Sequence, residues 1–386
     1  MKKYRILSIG DTANVISILN KFLKEFSIDI IRFRGKNAEI VESGNRIYFN
    51  SDKTLEQVRE LERIKSNYNL FIVTGWSGAR LAYIAGLNFI WIFTGDDIRH
   101  PIFIKDGIND CNFFERLFYR QVFCDVSAYL ALIEDTLVDL KRYTDKGILI
   151  GAAVDITKFN PDVKPIVLPK KEFTFLSPQR VSYEKGTHII WDAITKCKNK
   201  FKVLQVEWYD DFLPETRVKN KELTKNIPQN VELIPMIKYD EIASYYVAVD
   251  AILGQISIGW PGSIEREAAS CKKPVLTYIN PDYKIVIDNK LVSPPFLPTT
   301  KDPVELSRII DEIIISEKFR KELAEAEYEF VKKTSDPHTI AEKCEDIFKR
   351  VLRESNKKKT SSNIRKLFFA LSYYTNLKRL FKKFRL

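Results

Sequence analysis

Short apolar runs alternate with amphipathic stretches through most of this 386-residue chain, and no other feature restricts its fold as strongly. Such alternation predicts βαβ units, in which helices cover both faces of a parallel sheet. The first series contains six predicted strands and three predicted helices. The strands are YRILSI, IDIIRF, LFIVTG, FIWIFTG, VSAYLAL and GILIGA, and the helices cover residues 13–26, 77–86 and 113–123.

A second series of the same kind begins after Pro161 and predicts a second α/β domain. Pro161, Pro165 and Pro169 lie between the two series and mark a connection. The chain is too long for one ordinary core, and its 45% hydrophobic residues suffice for two. The predicted strands are FTFLSP, FKVLQVEW, VELIPM, VDAILGQ and PVLTYI, and the predicted helices cover residues 188–197, 240–247, 263–271 and 303–315.

We therefore expect an N-terminal Rossmann-like domain at 1–155, a C-terminal Rossmann-like domain at 156–335, a helix at 336–353 and a tail at 354–386. Apolar residues recur at helical spacing in the tail, among basic residues. The uncharged core of the tail, 367–377, is too short to span a bilayer, so the pattern favours a helix in the plane of an anionic membrane surface. A disordered or dimer-packed basic tail is the alternative.

The tail also carries most of the net charge of +11. Ten basic residues and no acidic residue lie between Asn356 and Leu386, which leaves about +1 for the rest of the chain. That distribution argues against a nucleic-acid-binding surface on the fold. The N-terminus lacks the apolar run of a secretory signal, and no stretch reaches the roughly 20 apolar residues of a membrane span. The sequence thus predicts a cytoplasmic protein, peripheral at the inner face of the cell membrane.

Two segments of the second series carry residues suited to a phosphorylated ligand. In SPQRVSYEKG, Arg180 follows a predicted strand and Lys185 precedes a helix, so both can reach over the carboxyl end of the sheet. In GWPGSIEREAASCKKPV, a Gly-rich turn leads into a helix whose first amides can meet an anion. A guanidinium clamps two phosphate oxygens, while an ammonium is a compact charge. The segments together predict a pyrophosphate site.

Glu267 lies about one turn into the second of these helices, where its carboxylate could accept hydrogen bonds from ribose hydroxyls. Glu265 faces elsewhere on the helix, and we expect it to be solvated. No D-x-D motif occurs in the chain, which removes the usual way of holding a charge-neutralising divalent metal. Arg180 and Lys185 would have to neutralise the pyrophosphate. We predict no metal and no cofactor, with a nucleoside-diphosphate sugar as the donor substrate.

The order of these motifs resembles the family 4 (group 1) retaining glycosyltransferases of GT-B fold. The resemblance rests on R…KG after a strand, VELIPMIKYDEIASYYVAVDAILG and G…EAASCKKPV, together with ILIGAAVDITKFNP, which is similar to the interdomain signature G-x-x-V-D-x-x-x-F-x-P. It covers about residues 5–352. It implies an α/β fold with two facing Rossmann-like domains and parallel sheets, to which the basic amphipathic tail is added.

The resemblance also implies a role for particular residues. Arg180 and Lys185 match the catalytic residues that hold the donor diphosphate, and Glu267 matches the second Glu of the E-x7-E motif, which binds the ribose. The remaining donor-binding positions are Met236 and Ile237 at the base, Gly262, Ser263 and Ile264 at the sugar and phosphate, and Gly10, Asp11 and Thr12 in an N-terminal loop that faces the same diphosphate.

The chain departs from the family pattern at three positions. Gly259 replaces the first Glu of the motif, whose side chain would contact the transferred sugar. Lys272 replaces a helix-ending Gly, which implies a different cap, or a strain of about 1 kcal/mol if the residue is left-handed. Thr94 stands where a His near the acceptor is common. Asp96 or Asp97 could orient an acceptor hydroxyl, or serve as a turn or cap residue.

By this resemblance the chain is a hexosyl-type glycosyltransferase. It would move a sugar from a nucleoside diphosphate to a glycan or lipid-linked acceptor at the cytoplasmic membrane face, with retention and without metal. In front-side transfer the donor phosphate itself takes the acceptor proton, so the missing His is tolerable. Two alternatives stay open: a nucleotide-sugar epimerase on the same fold, and a catalytically degenerate homologue that acts as a membrane-bound partner protein.

Overall fold

The computed structural model describes residues 3–33, 44–104, 111–169, 172–209, 214–354 and 364–371, with the backbone alone at 214–218. The chain forms two compact units, residues 1–153 with 337–386, and residues 154–336. The strands are β1 (Tyr4–Ile9), β2 (Phe26–Arg32), β3 (Arg46–Tyr48), β4 (Leu70–Thr74), β5 (Phe89–Phe93), β6 (Ala128–Ala131), β7 (Gly147–Leu149), β8 (Thr174–Ser177), β9 (Lys202–Val206), β10 (Val231–Ile234), β11 (Ala251–Leu253), β12 (Val275–Leu276), β13 (Ile285–Ile287) and β14 (Lys290–Val292).

The helices follow the strands in the expected alternation. They are α1 (Val15–Phe22), α2 (Thr54–Ile64), α3 (Gly75–Ile84), α4 (Asp96–Arg99), α5 (Phe113–Cys124), α6 (Glu134–Lys141), α7 (Thr187–Lys196), α8 (Pro214–Leu223), α9 (Ile242–Ala248), α10 (Ser263–Ser270), α11 (Pro303–Ile315), α12 (Glu317–Thr334), α13 (Pro337–Glu354) and α14 (364–371). None of the helices in the described ranges is long and apolar enough to cross a bilayer.

The first unit is built on a parallel sheet with the strand order β3-β2-β1-β4-β5-β6-β7. β4 and β5 are buried along their whole length, as expected for strands covered on both faces. On one face Ile16 of α1 and Phe348 of α13 belong to the same apolar core. On the other face Leu81 of α3 and Phe118 of α5 pack into a second core. The strand order reverses at β1, so the loops after β1 and β4 meet at a topological switch point.

The second unit contains a parallel sheet with the order β10-β9-β8-β11-β12. Its core joins Phe175 of β8 and Leu253 of β11 to Ile190 of α7 and Ile310 of α11. β13 and β14 form a separate antiparallel hairpin. The order reverses at β8, and the loops after β8 and β11 leave the sheet side by side. Ligands of open α/β sheets bind in such crevices, at the carboxyl ends of the strands.

The predicted α/β class with two parallel sheets is confirmed, and all eleven predicted strands are present. The helix predicted at 13–26 is wrong at its end. It stops at Phe22 because Leu23 adopts an extended conformation, and Phe26 already begins β2. Of the predicted tail, only 364–371 is described, as α14, while 355–363 and 372–386 lie outside the described residues.

Candidate functional site

The two sequence segments predicted to hold a phosphorylated ligand lie together at the switch point of the second unit. The loop after β8 contains Arg180 and Lys185, and the loop after β11 leads to Gly262. The amide of Ile256 donates to the carbonyl of Lys185 at 2.9 Å. The Ser257 hydroxyl donates to the carbonyl of Glu184. The strand order therefore brings together loops that are far apart in the sequence, and hydrogen bonds fix their relative position.

Buried polar side chains hold the Gly-rich loop in shape. Glu265 is 1% exposed, and its carboxylate accepts from the amides of Gln255 (3.0 Å) and Gly262 (2.8 Å). The amide group of Gln179, in the neighbouring loop, donates to the same carboxylate at 2.6 Å. The prediction that Glu265 is solvated is therefore wrong. Its side chain turns back from the first turn of α10 and ties both loops together, because several amides there need an acceptor.

Gly262, Ser263 and Ile264 lie where the resemblance places them, at the N-terminus of α10. Gly262 is the residue before the helix, and a Cβ there would lie 2.9 Å from Oε2 of Glu265. Ser263 is exposed and Ile264 is half-buried. The first turn of a helix directs amides and the positive end of the helix dipole outward. An anion that lies over this turn would be bound by backbone groups.

Arg180 and Lys185 are half-buried at the same edge of the sheet. The Arg180 guanidinium lies over the ring of Trp208, 5.5 Å from its centroid, and Trp208 follows β9. Stacking on an aromatic ring holds a guanidinium in one plane, and a planar guanidinium can donate to two oxygens of an anion. Lys185 is followed by Gly186, which has a φ of 77° and packs against Ile256. The left-handed Gly lets the loop approach its neighbour closely.

Glu267 is buried on α10, with 8% of its surface exposed. Burial raises the pKa of its carboxyl to about 8, Lys158 opposes the shift, and Glu265 adds to it. The hydroxyl of Tyr239 donates to Glu267 at 3.5 Å, and the Lys158 ammonium lies 3.5 Å from the centroid of the Tyr239 ring. Lys158 is paired with Asp240 at 3.0 Å. The carboxyl therefore belongs to a compact group with one phenol and one cation.

Sequence reasoning missed Lys158 and Tyr239. Lys158 lies in the segment VDITKFNP, which was used only as a signature of the connection between domains. Tyr239 comes four residues after Pro235, in the loop that also contains the predicted base-binding pair. In that loop Met236 is half exposed and Ile237 is half-buried. The loop after β10 thus contains the predicted base-binding pair and also Tyr239, which contacts Glu267 at the predicted ribose end.

The backbone conformation of Gly259 explains why the first Glu of the E-x7-E motif is absent from this chain. Its φ is 92°, in the region that favours glycine, and a Cβ there would lie 2.9 Å from the Cβ of Asn280. The amide of Asn280 donates to the Gly259 carbonyl at 3.0 Å, which fixes this arrangement. A Glu at this position would require a different backbone. The departure from the family pattern therefore involves the backbone conformation at this position as well as the side chain.

Lys272 follows α10 with a φ of 58°, so the residue is left-handed, as the strain prediction requires. Its amide donates to the Ala269 carbonyl at 2.9 Å, and the Lys273 amide donates to the Ala268 carbonyl at 3.4 Å. These bonds form a Schellman motif, which glycine usually closes. The helix therefore ends as it would with Gly, at the cost of left-handed strain in a residue with a side chain.

In the first unit, the loop after β1 meets the end of β4. The amide and hydroxyl of Thr12 lie 3.2 Å from the Thr74 hydroxyl oxygen. The Asp11 carboxylate accepts from the amide of Ile16 and pairs with Arg32 at 3.0 Å. Gly10 has a φ of 98°, and a Cβ there would lie 2.7 Å from Oγ1 of Thr74. Asp11 thus holds the start of α1, and the donor role of residues 10–12 stays a prediction.

The predicted acceptor-side residues surround α4. The Asp97 carboxylate accepts from the amides of Thr94 (3.1 Å) and Gly95 (3.0 Å), so it serves as a turn residue. Burial raises the pKa of Asp97 to about 6, although these amides oppose the shift. Asp96 is largely exposed and pairs with Arg99 at 3.0 Å. Of the two carboxylates, only that of Asp96 is open to a hydroxyl from solvent.

Comparisons with known proteins agree with this geometry. Residues 159–330 match the family model described as Glycosyl transferases group 1. A search of curated protein sequences finds no significant match. Sucrose-phosphate synthase from Thermosynechococcus elongatus has a similar structure, with a TM-score of 0.68 at 15% identity over 91% of this chain and 100% of that chain. Alr3699/HepE from Anabaena, in complex with UDP-glucose, has a TM-score of 0.65 at 15% identity over 90% of this chain and 100% of that chain.

A glycosyltransferase from Rickettsia africae is also similar in structure, with a TM-score of 0.64 at 19% identity over 92% of this chain and 100% of that chain. These likenesses confirm the predicted GT-B fold. The family match covers α7 to α11 and most of α12, and with them the loop that carries Arg180 and Lys185 and the helix α10 that carries Glu267.

Proposed function

We propose that this chain, whose residues 159–330 match the model of the group 1 glycosyltransferases, transfers a sugar from a nucleoside diphosphate to a glycan or lipid-linked acceptor at the cytoplasmic membrane face. The observation that carries the proposal is the meeting of two loops at the switch point of the second unit. They bring Arg180 and Lys185 to the same edge of the sheet as the N-terminus of α10.

Arg180 and Lys185 bind the diphosphate and stabilise it as a leaving group. Negative charge grows on the diphosphate as the glycosidic bond breaks, so cations held in place beforehand favour the transition state. Trp208 supports the guanidinium, and the backbone bond from Ile256 positions the Lys185 loop. The amides of Ser263 and Ile264 add donors from the first turn of α10.

Glu267 binds the ribose. Its carboxyl lies one turn into α10, and Tyr239 and Lys158 fix it from one side. A carboxyl accepts hydrogen bonds from two neighbouring hydroxyls, which suits the ribose diol. Met236 and Ile237, in the loop that also holds Tyr239, contact the base in this proposal. The UDP-glucose complex of Alr3699/HepE makes uridine diphosphate the first nucleotide to test.

We propose that transfer proceeds with retention and without a metal. The absence of a D-x-D motif from the sequence supports the metal-free part, because the protein's own cations then neutralise the diphosphate. In a front-side reaction the leaving phosphate oxygen takes the proton of the acceptor hydroxyl as that hydroxyl bonds to the anomeric carbon. We assign the orientation of the acceptor hydroxyl to the exposed carboxylate of Asp96, which lies two residues after Thr94.

Nucleotide binding tests the donor site directly. Arg180→Ala and Lys185→Ala should each weaken binding of UDP about 10- to 100-fold, because each removes a charged partner worth about 1.5–3 kcal/mol. Glu267→Ala should weaken it about 3- to 10-fold, because it removes a hydrogen-bonding partner worth about 0.5–1.5 kcal/mol. Isothermal titration calorimetry with UDP, GDP, ADP and CDP measures the affinities and identifies the base. Arg308→Ala is a matched control, since Arg308 is an exposed cation on α11 of the same unit.

Unchanged UDP, GDP, ADP and CDP affinities in all three site variants would contradict the assignment. Transfer is then measured with radiolabelled nucleotide sugars and membrane-lipid or glycan acceptors. The anomeric configuration of the product, read by NMR, tests retention, and activity that persists in EDTA tests metal independence. Donor binding without transfer to any acceptor would favour a degenerate partner protein instead.

A further inference from the structure

The described part of the C-terminal tail is an integral element of the first unit. Arg365 of α14 is 1% exposed and pairs with Asp125, at the end of α5, at 2.7 Å. Its guanidinium also donates to the carbonyl of Tyr83 at 3.1 Å and lies over the ring of the same residue. Lys366 pairs with Glu62 of α2 at 2.7 Å. A buried, paired cation fixes the position of α14, because leaving either charge unpaired would be costly.

Aromatic packing joins α14 to α5. Phe368 and Phe369 both contact Phe118 of α5, with ring centroids 5.7 and 5.5 Å apart. The Arg80 guanidinium lies 6.0 Å from the centroid of Phe369. One face of α14 is therefore buried against the first unit, and α5 is its neighbour.

The opposite face of α14 is apolar and exposed. Ile364, Leu367 and Leu371 are 60%, 61% and 54% exposed, and their spacing of three and four residues places them on one stripe of the helix. On α5, Phe113, Phe114 and Leu117 are 60%, 49% and 40% exposed. Isolated exposed apolar residues are common, but exposed apolar residues on two helices that pack together mark an interaction surface.

The charge around this patch indicates what the partner is. Arg120 is exposed on α5, whereas the ammonium of Lys366 on α14 is paired with Glu62. The sequence from Asn356 to the end has ten basic residues and no acidic ones, and it continues for 15 residues beyond α14 with the same mixture of apolar and basic side chains. Apolar side chains bordered by cations match the interface of an anionic bilayer, where apolar groups enter the acyl region and cations meet the headgroups.

We propose that the exposed faces of α5 and α14 together form the surface through which this chain docks on an anionic lipid bilayer, with Arg365 locking α14 in place beside α5. The proposal deepens the proposed function, since it rests on the assignment of an acceptor at the membrane face. It also assigns membrane contact to the folded first unit as well as to the tail.

Liposome sedimentation of the full chain tests the surface. Phe113→Ser with Leu117→Ser, and Leu367→Ser with Leu371→Ser, should each lower the partition into vesicles of 70% phosphatidylcholine and 30% phosphatidylglycerol at least tenfold. Val286→Ser with Leu291→Ser is the matched control, because it removes two equally exposed apolar residues from the hairpin of the second unit. The control should bind like the wild type, and pure phosphatidylcholine vesicles should bind all of them weakly.

Circular dichroism and UDP affinity, measured on the same preparations, show whether each variant is folded and whether its donor site is intact. A surface variant that binds UDP normally but has lost vesicle binding supports the proposal. Equal vesicle binding by the wild type and both surface variants would overturn it, because the basic tail alone would then suffice. A wild-type dimer that the surface variants dissociate, without vesicle binding, would overturn it in favour of a second copy as the partner. Vesicle binding is measured without any nucleotide, so failure of the donor assignment leaves this test intact.

Discussion

Replacing Glu267 with Gln should change how the stability of the chain depends on pH, because an amide would replace a buried carboxyl that titrates. Glu267 is 8% exposed, and burial raises its pKa from 4.5 to about 8 against the opposing charge of Lys158. At 1.36 kcal/mol per pH unit, the difference between these pKa values sets an upper limit of about 5 kcal/mol on the effect.

The direction follows from where the proton is held. Below pH 4.5 the carboxyl is protonated in the folded and the unfolded chain, so its contribution to stability is fully present. Between pH 4.5 and about 8 the unfolded chain has released a proton that the folded chain keeps, and the free energy of unfolding falls as the pH rises. Above about pH 8 the loss is complete. The wild type should therefore lose about 2–4 kcal/mol relative to Glu267→Gln between pH 5 and 9.

Urea denaturation at pH 5, 6, 7, 8 and 9, followed by tryptophan fluorescence, measures this difference. Other titrating groups cancel when the two proteins are compared at each pH. Glu322→Gln is the matched control, since Glu322 is exposed on α12 and should leave the pH profile unchanged. Parallel profiles for the wild type and Glu267→Gln would refute the reasoning, because the carboxyl would then titrate alike in the folded and unfolded chains.

Two further predictions concern the backbone around α10. Gly259→Ala should destabilise the chain by about 1–3 kcal/mol, since it adds left-handed strain to a close contact with Asn280. Gly75→Ala is the control, since Gly75 also has a positive φ but a Cβ there would have no atom within 4 Å, and thermal unfolding should show a smaller loss of stability. Equal losses of stability in the two variants would contradict the role of the contact with Asn280. Lys272→Gly should raise the unfolding midpoint by roughly 2 °C relative to Lys272→Ala, because both variants lose the pair with Glu325 but only Gly relieves the backbone. Equal midpoints would mean that the Schellman turn carries no strain.

The sequence predicted the elements whose apolar content is continuous. β4 and β5 are uninterrupted apolar runs buried on both faces, and such runs cannot be mistaken for solvent-exposed helices. β3 and the β13–β14 hairpin were not predicted because they are short, partly exposed and set among charged residues, whereas the equally short β7 begins a longer apolar run. The end of α1 was misplaced because apolar residues continue from the helix into β2, and only the extended backbone of Leu23 separates them.

The candidate site was predictable where its residues follow strands, and unpredictable where it depends on packing. Arg180 and Lys185 follow β8, and the N-terminus of α10 follows β11, so parallel pairing alone brings them together. Glu265 was assigned to solvent because helical spacing predicts only the face of the helix on which a residue lies. It does not predict that amides of the preceding loop donate to the Glu265 carboxylate. Lys158 reaches Tyr239 and Glu267 from a distant part of the chain, and no local pattern records such a contact.

At the predicted sugar end of the site, the backbone around Gly259 restricts which side chains the loop can carry. Gly259 lies between Gln255 and Glu265, two buried residues whose side chains bind the amides of the same loop. The Gln255 side chain accepts from Ser257 and Ile258 and donates to the Trp260 carbonyl at 2.9 Å. These bonds fix the path on which the left-handed Gly259 depends. A carboxylate cannot be restored there without rebuilding that loop, so under the proposed function the sugar is recognised by backbone amides and by residues other than the first Glu of the motif.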